Sequence, residues 1–151
     1  MIDIRAYLST ERITELSSRT KDGAIMELVA LAAKSPAVED AEKLQEAIFE
    51  REGIMTTGIG LEIAIPHAKI PSVKEFVVAV GTAPDGLDFD AYDGQPVKIV
   101  VLIAGPGQEQ QRYLQILARV TLGLKSEAVR RAVLDATTPE EVIEVLVEAR
   151  P

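Results

Sequence analysis

At 151 residues, with 47% hydrophobic and 26% charged side chains, the chain can bury a core without covalent staples and reads as one globular domain over 1–151. Its 24 Asp and Glu outnumber 16 Lys and Arg, and the resulting net charge of −8 opposes nonspecific binding to nucleic acid or anionic lipid. The lack of cysteine excludes disulfides and thiolate metal sites and fits a reducing, cytoplasmic setting.

The N-terminal stretch MIDIRAYLSTERI carries Asp3, Arg5, Glu11 and Arg12 and has no apolar signal core. No run approaches the roughly 18 apolar residues of a membrane span. Residues 20–34 repeat Ile25, Leu28, Val29, Ala32 and Ala33 at helical spacing, with Thr20 as N-cap and Ser35-Pro36 as the stop. A second amphipathic helix is expected over 39–52, ended by Gly53. Gly53, Gly58 and Gly60 then mark an irregular loop that enters a strand near 62–66. FVVAVGTA, 76–83, reads as a buried strand, and Pro84-Asp85-Gly86 as a turn after it. VKIVVLIAG, 97–105, has five β-branched residues and suits a central strand covered on both faces. Helical spacing returns over 108–123, 126–136 and 139–149. Ser126 caps the second of these, and Thr138, Pro139 and Glu141 form the start of the third. Helices, then strands, then helices predict an α/β fold, a mixed sheet with helices packed on it.

The chain's one histidine, His67, lies in IAIPHAKI, 63–70. Pro66 fixes a backbone torsion just before it, and Ile63-Ala64-Ile65 anchors the segment in a core. An inert, hydrogen-bonded histidine at a strand end is one reading. A nucleophilic imidazole on a rigid arm is the other. A zinc site lacks a second histidine or a cysteine. A hydrolase using His67 as base lacks a G-x-S-x-G elbow. In TTGIG, 56–60, the glycines serve either as turn residues or as an anion cradle in which Thr56 and Thr57 add donors. The spacing fits neither a P-loop nor a dinucleotide fingerprint. Arg51 is either a solvated helix charge or a clamp for a phosphoryl group.

Together, REGIMTTGIGLEIAIPHA, 51–68, closely resembles the enzyme IIA domain of the bacterial phosphotransferase system, of the fructose, mannitol and nitrogen-regulatory type. The resemblance runs from about residue 9 to 148 and includes VKIVVLIAGP and the leucine-rich YLQILARV. It implies a mixed, roughly five-stranded sheet flanked by helices on both faces. It implies that His67 is phosphorylated through Nε2 by an HPr-like histidine phosphocarrier protein and passes the group to a IIB domain or signals by its state. Arg51 matches the family's active-site arginine, and Thr56, Thr57 and Gly58 the phosphate pocket. No metal, nucleotide or other cofactor is implied, nor any nucleic-acid partner or membrane insertion.

The family generally carries a second histidine where this sequence has Tyr113, with Arg112 beside it. A tyrosine hydroxyl can donate a hydrogen bond but lacks a histidine's acid–base range. Losing one transition-state donor costs roughly 10²–10³ in rate. The glycine usual after the reactive histidine is Ala68, and Leu61-Glu62 stands where a small residue is common. Glu62 is tolerable near phosphate only if it points outward. The competing function is therefore a transfer-impaired binding module that controls a transporter, channel or kinase by contact.

Overall fold

The computed structural model describes residues 2–149. Two short 3-10 turns, Ile4–Tyr7 and Thr10–Arg12, lead into strand β1, Ile13–Glu15. Helices α1, Lys21–Ala32, and α2, Ala41–Ile54, follow. Strands β2, Gly58–Gly60, β3, Ile63–Ala64, β4, His67–Lys69, β5, Val77–Leu87, and β6, Val97–Gly105, come next. Helices α3, Gln110–Leu124, α4, Glu127–Asp135, and α5, Pro139–Glu148, complete the chain order. Among the described residues no helix is long and apolar enough to cross a membrane.

The helix starts are set by side-chain caps, each worth about 1 kcal/mol. Thr20 accepts from the Gly23 N–H at 3.0 Å and Asp40 from the Lys43 N–H at 3.1 Å. Ser126 accepts from Val129 at 3.3 Å, and Thr138 from Glu141 at 3.2 Å. The expected capping box is displaced by one residue. The Glu141 carboxylate accepts from the N–H and hydroxyl of Thr137 instead of the Thr138 N–H. Gly53 does not end α2. The helix runs on to Ile54 and stops where Met55 becomes extended, with φ −165° and ψ 136°.

The sheet order is β1-β5-β6-β3-β2, with β4 also paired to β6. β5 and β6 are antiparallel, while β1 lies parallel to β5. β3 and β4 both run parallel to β6, one beside Ile99–Val100 and the other beside Ile103–Gly105. Of the strand expected over 62–66 only Ile63–Ala64 forms; the lane breaks at Ile65-Pro66 and resumes beyond it as β4, His67–Lys69. Six segments fill the five lanes that the family resemblance implied. β5 also departs from expectation, because Pro84-Asp85-Gly86 lies inside it as an irregularity in register and not as a turn. On the β1 side the last pair is Glu15 with Thr82, whose carbonyl also accepts from the Leu16 N–H, so Pro84 with no N–H stands just past the end of that pairing.

Helices cover both faces. Val77 and Ala79 of β5 and Val100, Leu102 and Ala104 of β6 pack with Ile25, Leu28, Leu44 and Ile48 from α1 and α2. Val78, Val80, Ile99, Val101 and Ile103 point the other way, toward Ile116, Val120, Val133, Val142 and Leu146 from α3, α4 and α5. Double coverage is why β6 is apolar almost throughout, with only Lys98 partly exposed.

Candidate functional site

The break at Ile65-Pro66 creates the site. β3 is paired on both sides, but β4 is paired only with β6. The open flank of β4 is enclosed by the last turns of α2 and the first turn of α3. A cleft of about 470 Å³ forms there, lined by Arg51, Ile54, His67, Lys69, Gln110 and Tyr113 among others. Two helices from opposite layers of the fold meet across one strand end.

His67 is half-buried. Its Nδ1 lies 2.8 Å from the Ile65 carbonyl oxygen. A carbonyl only accepts, so Nδ1 carries the proton and Nε2 keeps its lone pair. Burial, the largest influence, pulls the imidazole pKa below 6.5, and the Arg51 and Lys69 charges add to that effect. The Ile65 hydrogen bond and the Glu52 carboxylate oppose it. The net result favours the neutral imidazole.

Tyr113, near the start of α3, places its ring centroid 5.5 Å from that of His67, tilted by 45°. Burial pushes its phenol up to about 12, against the opposing charge of Arg51, so it remains a protonated donor. Phe76 stacks on Tyr113 at 6.5 Å and meets the edge of Tyr7 at 6.3 Å. This row of rings requires Gly105, where an added Cβ would lie 2.2 Å from Phe76. Arg51, in the last turn of α2, donates from Nη1 to the Met55 carbonyl at 2.8 Å. That bond satisfies one carbonyl of the helix terminus and holds the guanidinium at the cleft.

Residues 7–149 match the family of the phosphoenolpyruvate-dependent sugar phosphotransferase system, EIIA 2. The chain belongs to this EIIA family. A fructose-specific EIIA component of Haloferax volcanii is 40% identical over 147 residues, covering 97% of this chain and 96% of that protein. The crystal structure of nitrogen regulatory protein IIA-Ntr from Neisseria meningitidis superposes with a TM-score of 0.88 at 25% identity, over 95% of this chain and 98% of that one. The IIAMTL chain in a complex of enzyme IIAMTL and phosphorylated enzyme IIBMTL from Escherichia coli gives 0.79 at 26% identity, over 92% and 96%.

The EIIA residues expected from sequence separate into two groups. His67, Arg51 and Tyr113 meet at the cleft. Thr56, Thr57 and Gly58 do not line it. The Thr57 N–H and hydroxyl each donate to Glu52 at 2.7 Å. The Thr56 hydroxyl donates to the Phe89 carbonyl at 3.0 Å and accepts from the Gly58 N–H at 3.1 Å. Donors anticipated for phosphate are thus engaged within the protein. Glu62 does point away, pairing with Lys98 at 3.2 Å beside α4. Arg112 also turns from the cleft, toward Glu109 and the Tyr7 hydroxyl.

Sequence reasoning missed Glu52. Its side chain is 4% exposed, bonded twice by Thr57 and paired with Lys21 at 3.1 Å. This buried carboxylate, next to Arg51 in the last turn of α2, fixes the segment that leaves the helix after Ile54. It also missed any role for Lys69 and Gln110, although a residue two positions beyond His67 in a strand shares its face.

Proposed function

We propose that this EIIA protein is a phosphocarrier whose His67 accepts a phosphoryl group from the phosphohistidine of an HPr-like carrier. It then delivers the group to a IIB domain, or signals to a target protein by its phosphorylation state, in the cytoplasm. The observation carrying this reading is the Nδ1 bond to Ile65, which leaves Nε2 as the nucleophile of a side chain lining the cleft.

The Nε2 lone pair attacks phosphorus as the P–N bond to the donor imidazole breaks, and that electron pair returns to the donor nitrogen. A donor ring carrying its own proton leaves neutral, while the His67 ring becomes cationic. The Ile65 carbonyl then faces a charged N–H, and the hydrogen bond strengthens. Arg51 draws charge from the phosphoryl oxygens, and the Tyr113 phenol supplies a neutral donor. Little else is asked of a protein in phosphoryl transfer beyond position and charge.

The test is incubation with phosphoenolpyruvate, the general phosphotransferase enzyme and the carrier protein. Label is expected on His67 and lost in His67→Gln. No label at any carrier concentration overturns the reading.

The Tyr113 ring beside His67 favours one second reading, a binding module with throttled transfer. Tyr113→His discriminates: a rate raised tenfold or more supports throttling, and an unchanged rate removes its basis.

A further inference from the structure

Lys69 has no part in the chemistry described above, yet it lines the same cleft. Strand alternation puts it on the His67 side of β4, while Ala68 between them packs into the core beneath α1 and α2. Its ammonium stands 4.9 Å from the centroid of the Tyr113 ring and donates to Oε1 of Gln110, the first residue of α3. Among the described residues it forms no ion pair with a carboxylate, in a chain with 24 of them. An amide oxygen and an aromatic face hold an ammonium without cancelling its charge. A phosphoryl group carries full negative charge, and charge-assisted hydrogen bonds are roughly twice as strong as neutral ones. Four methylenes give the lysine a flexible stem with which to change partners.

We propose that Lys69 is the second cation of the transfer site and also its switch. It rests on Gln110 and Tyr113 while His67 is bare, and moves to a phosphoryl oxygen when His67 is phosphorylated. Gln110, exposed at the rim of the cleft, is released by that move and displays the phosphorylation state at the first turn of α3. The inference rests on His67 as phosphoryl acceptor. It adds a contact in the reaction and a surface position that a partner can read.

The experiment uses the full chain as wild type, Lys69→Met and Lys69→Arg. His67 is phosphorylated by the carrier protein in one arm and by phosphoramidate, which needs no protein donor, in the other. Lys69→Met is expected to lower kcat/KM for the carrier at least tenfold with an unchanged melting temperature, and Lys69→Arg to restore most of it. The Gln110 side-chain amide resonance is expected to shift on phosphorylation of the wild type. In Lys69→Met it should start near the shifted position and stay there. Transfer by Lys69→Met at the wild-type rate, or the same Gln110 shift in both proteins, overturns the proposal. If phosphoramidate labels His67 and the carrier does not, the phosphocarrier reading fails, and the Gln110 comparison still decides the role of Lys69.

Discussion

Nδ1 of His67 and the carbonyl oxygen of Ile65 lie 2.8 Å apart, across the proline that interrupts the strand. This one contact selects the tautomer, orients the ring and leaves Nε2 with its lone pair. A histidine on an unbroken strand would have its own residue-minus-two carbonyl committed to the ladder or turned to the other side.

The first prediction concerns pH. Burial, chiefly, sets the His67 pKa below 6.5, so the imidazole carbon protons should titrate with a midpoint under that value in NMR. The unfolded chain then binds the proton more readily than the native one. The stabilisation from a neutral His67 is full above pH 6.5 and declines as pH falls from there toward the native midpoint. A midpoint at or above 6.5 contradicts the environment described.

Tyr113→Phe removes one hydroxyl and leaves the ring between Phe76 and His67. Phosphoryl transfer should slow by about 10²–10³, the range seen for losing one such donor. Thermal stability should hardly change. Because the phenol keeps its proton to near pH 12, the defect should be constant across the neutral range. Equal transfer rates for the two proteins would deny the hydroxyl any role.

Glu52→Ala should be far more damaging to stability than its distance from the chemistry suggests. It leaves two Thr57 donors and the Lys21 ammonium without their shared partner. Breaking a buried pair this way costs about 3–5 kcal/mol. Urea titration should show the loss as a lower midpoint at constant slope. Glu52→Gln keeps the shape and should lose less.

The turn between β2 and β3 offers a change in the opposite direction. Leu61 and Glu62 both have positive φ, at 58° and 67°, which side chains other than glycine and asparagine resist. Two such residues joining Gly60 to Ile63 match the hairpin turn that favours Asn-Gly. Replacing the pair with Asn-Gly should stabilise the protein by about 1–2 kcal/mol, despite the lost half-exposed Glu62–Lys98 pair. An unchanged or lower melting temperature would refute the argument.

Much of this architecture is legible in the sequence. β6 begins and ends where its apolar run does, and Thr20, Ser126 and Thr138 cap the helices they were expected to cap. These are local signals, decided by periodicity and one side chain. β1 was not foreseen, because three residues carry too little pattern and its pairing partner lies more than sixty residues away. Pro84-Asp85-Gly86 has the composition of a turn, yet a register shift in β5 absorbs it. The site divides the same way. His67 and Arg51 stood out through residue type and spacing. The sequence does not show that Thr57 gives its donors to Glu52, a neighbour paired across to Lys21 at the start of α1. Lys69 was visible, but its resting place on Gln110 joins two segments that the sequence keeps forty-one positions apart.

The enclosure of β4 by one helix from each layer has a consequence for folding in the cell. Neither half of the molecule alone contains the constellation: Arg51 belongs to the α2 side, Tyr113 and Gln110 to the α3 side, and His67 to the strand between. A chain in which only one layer has formed therefore lacks the complete cleft. On the proposed function, phosphate on His67 would mark a chain in which both layers have closed on β4, and a regulator responding to it would count only folded molecules.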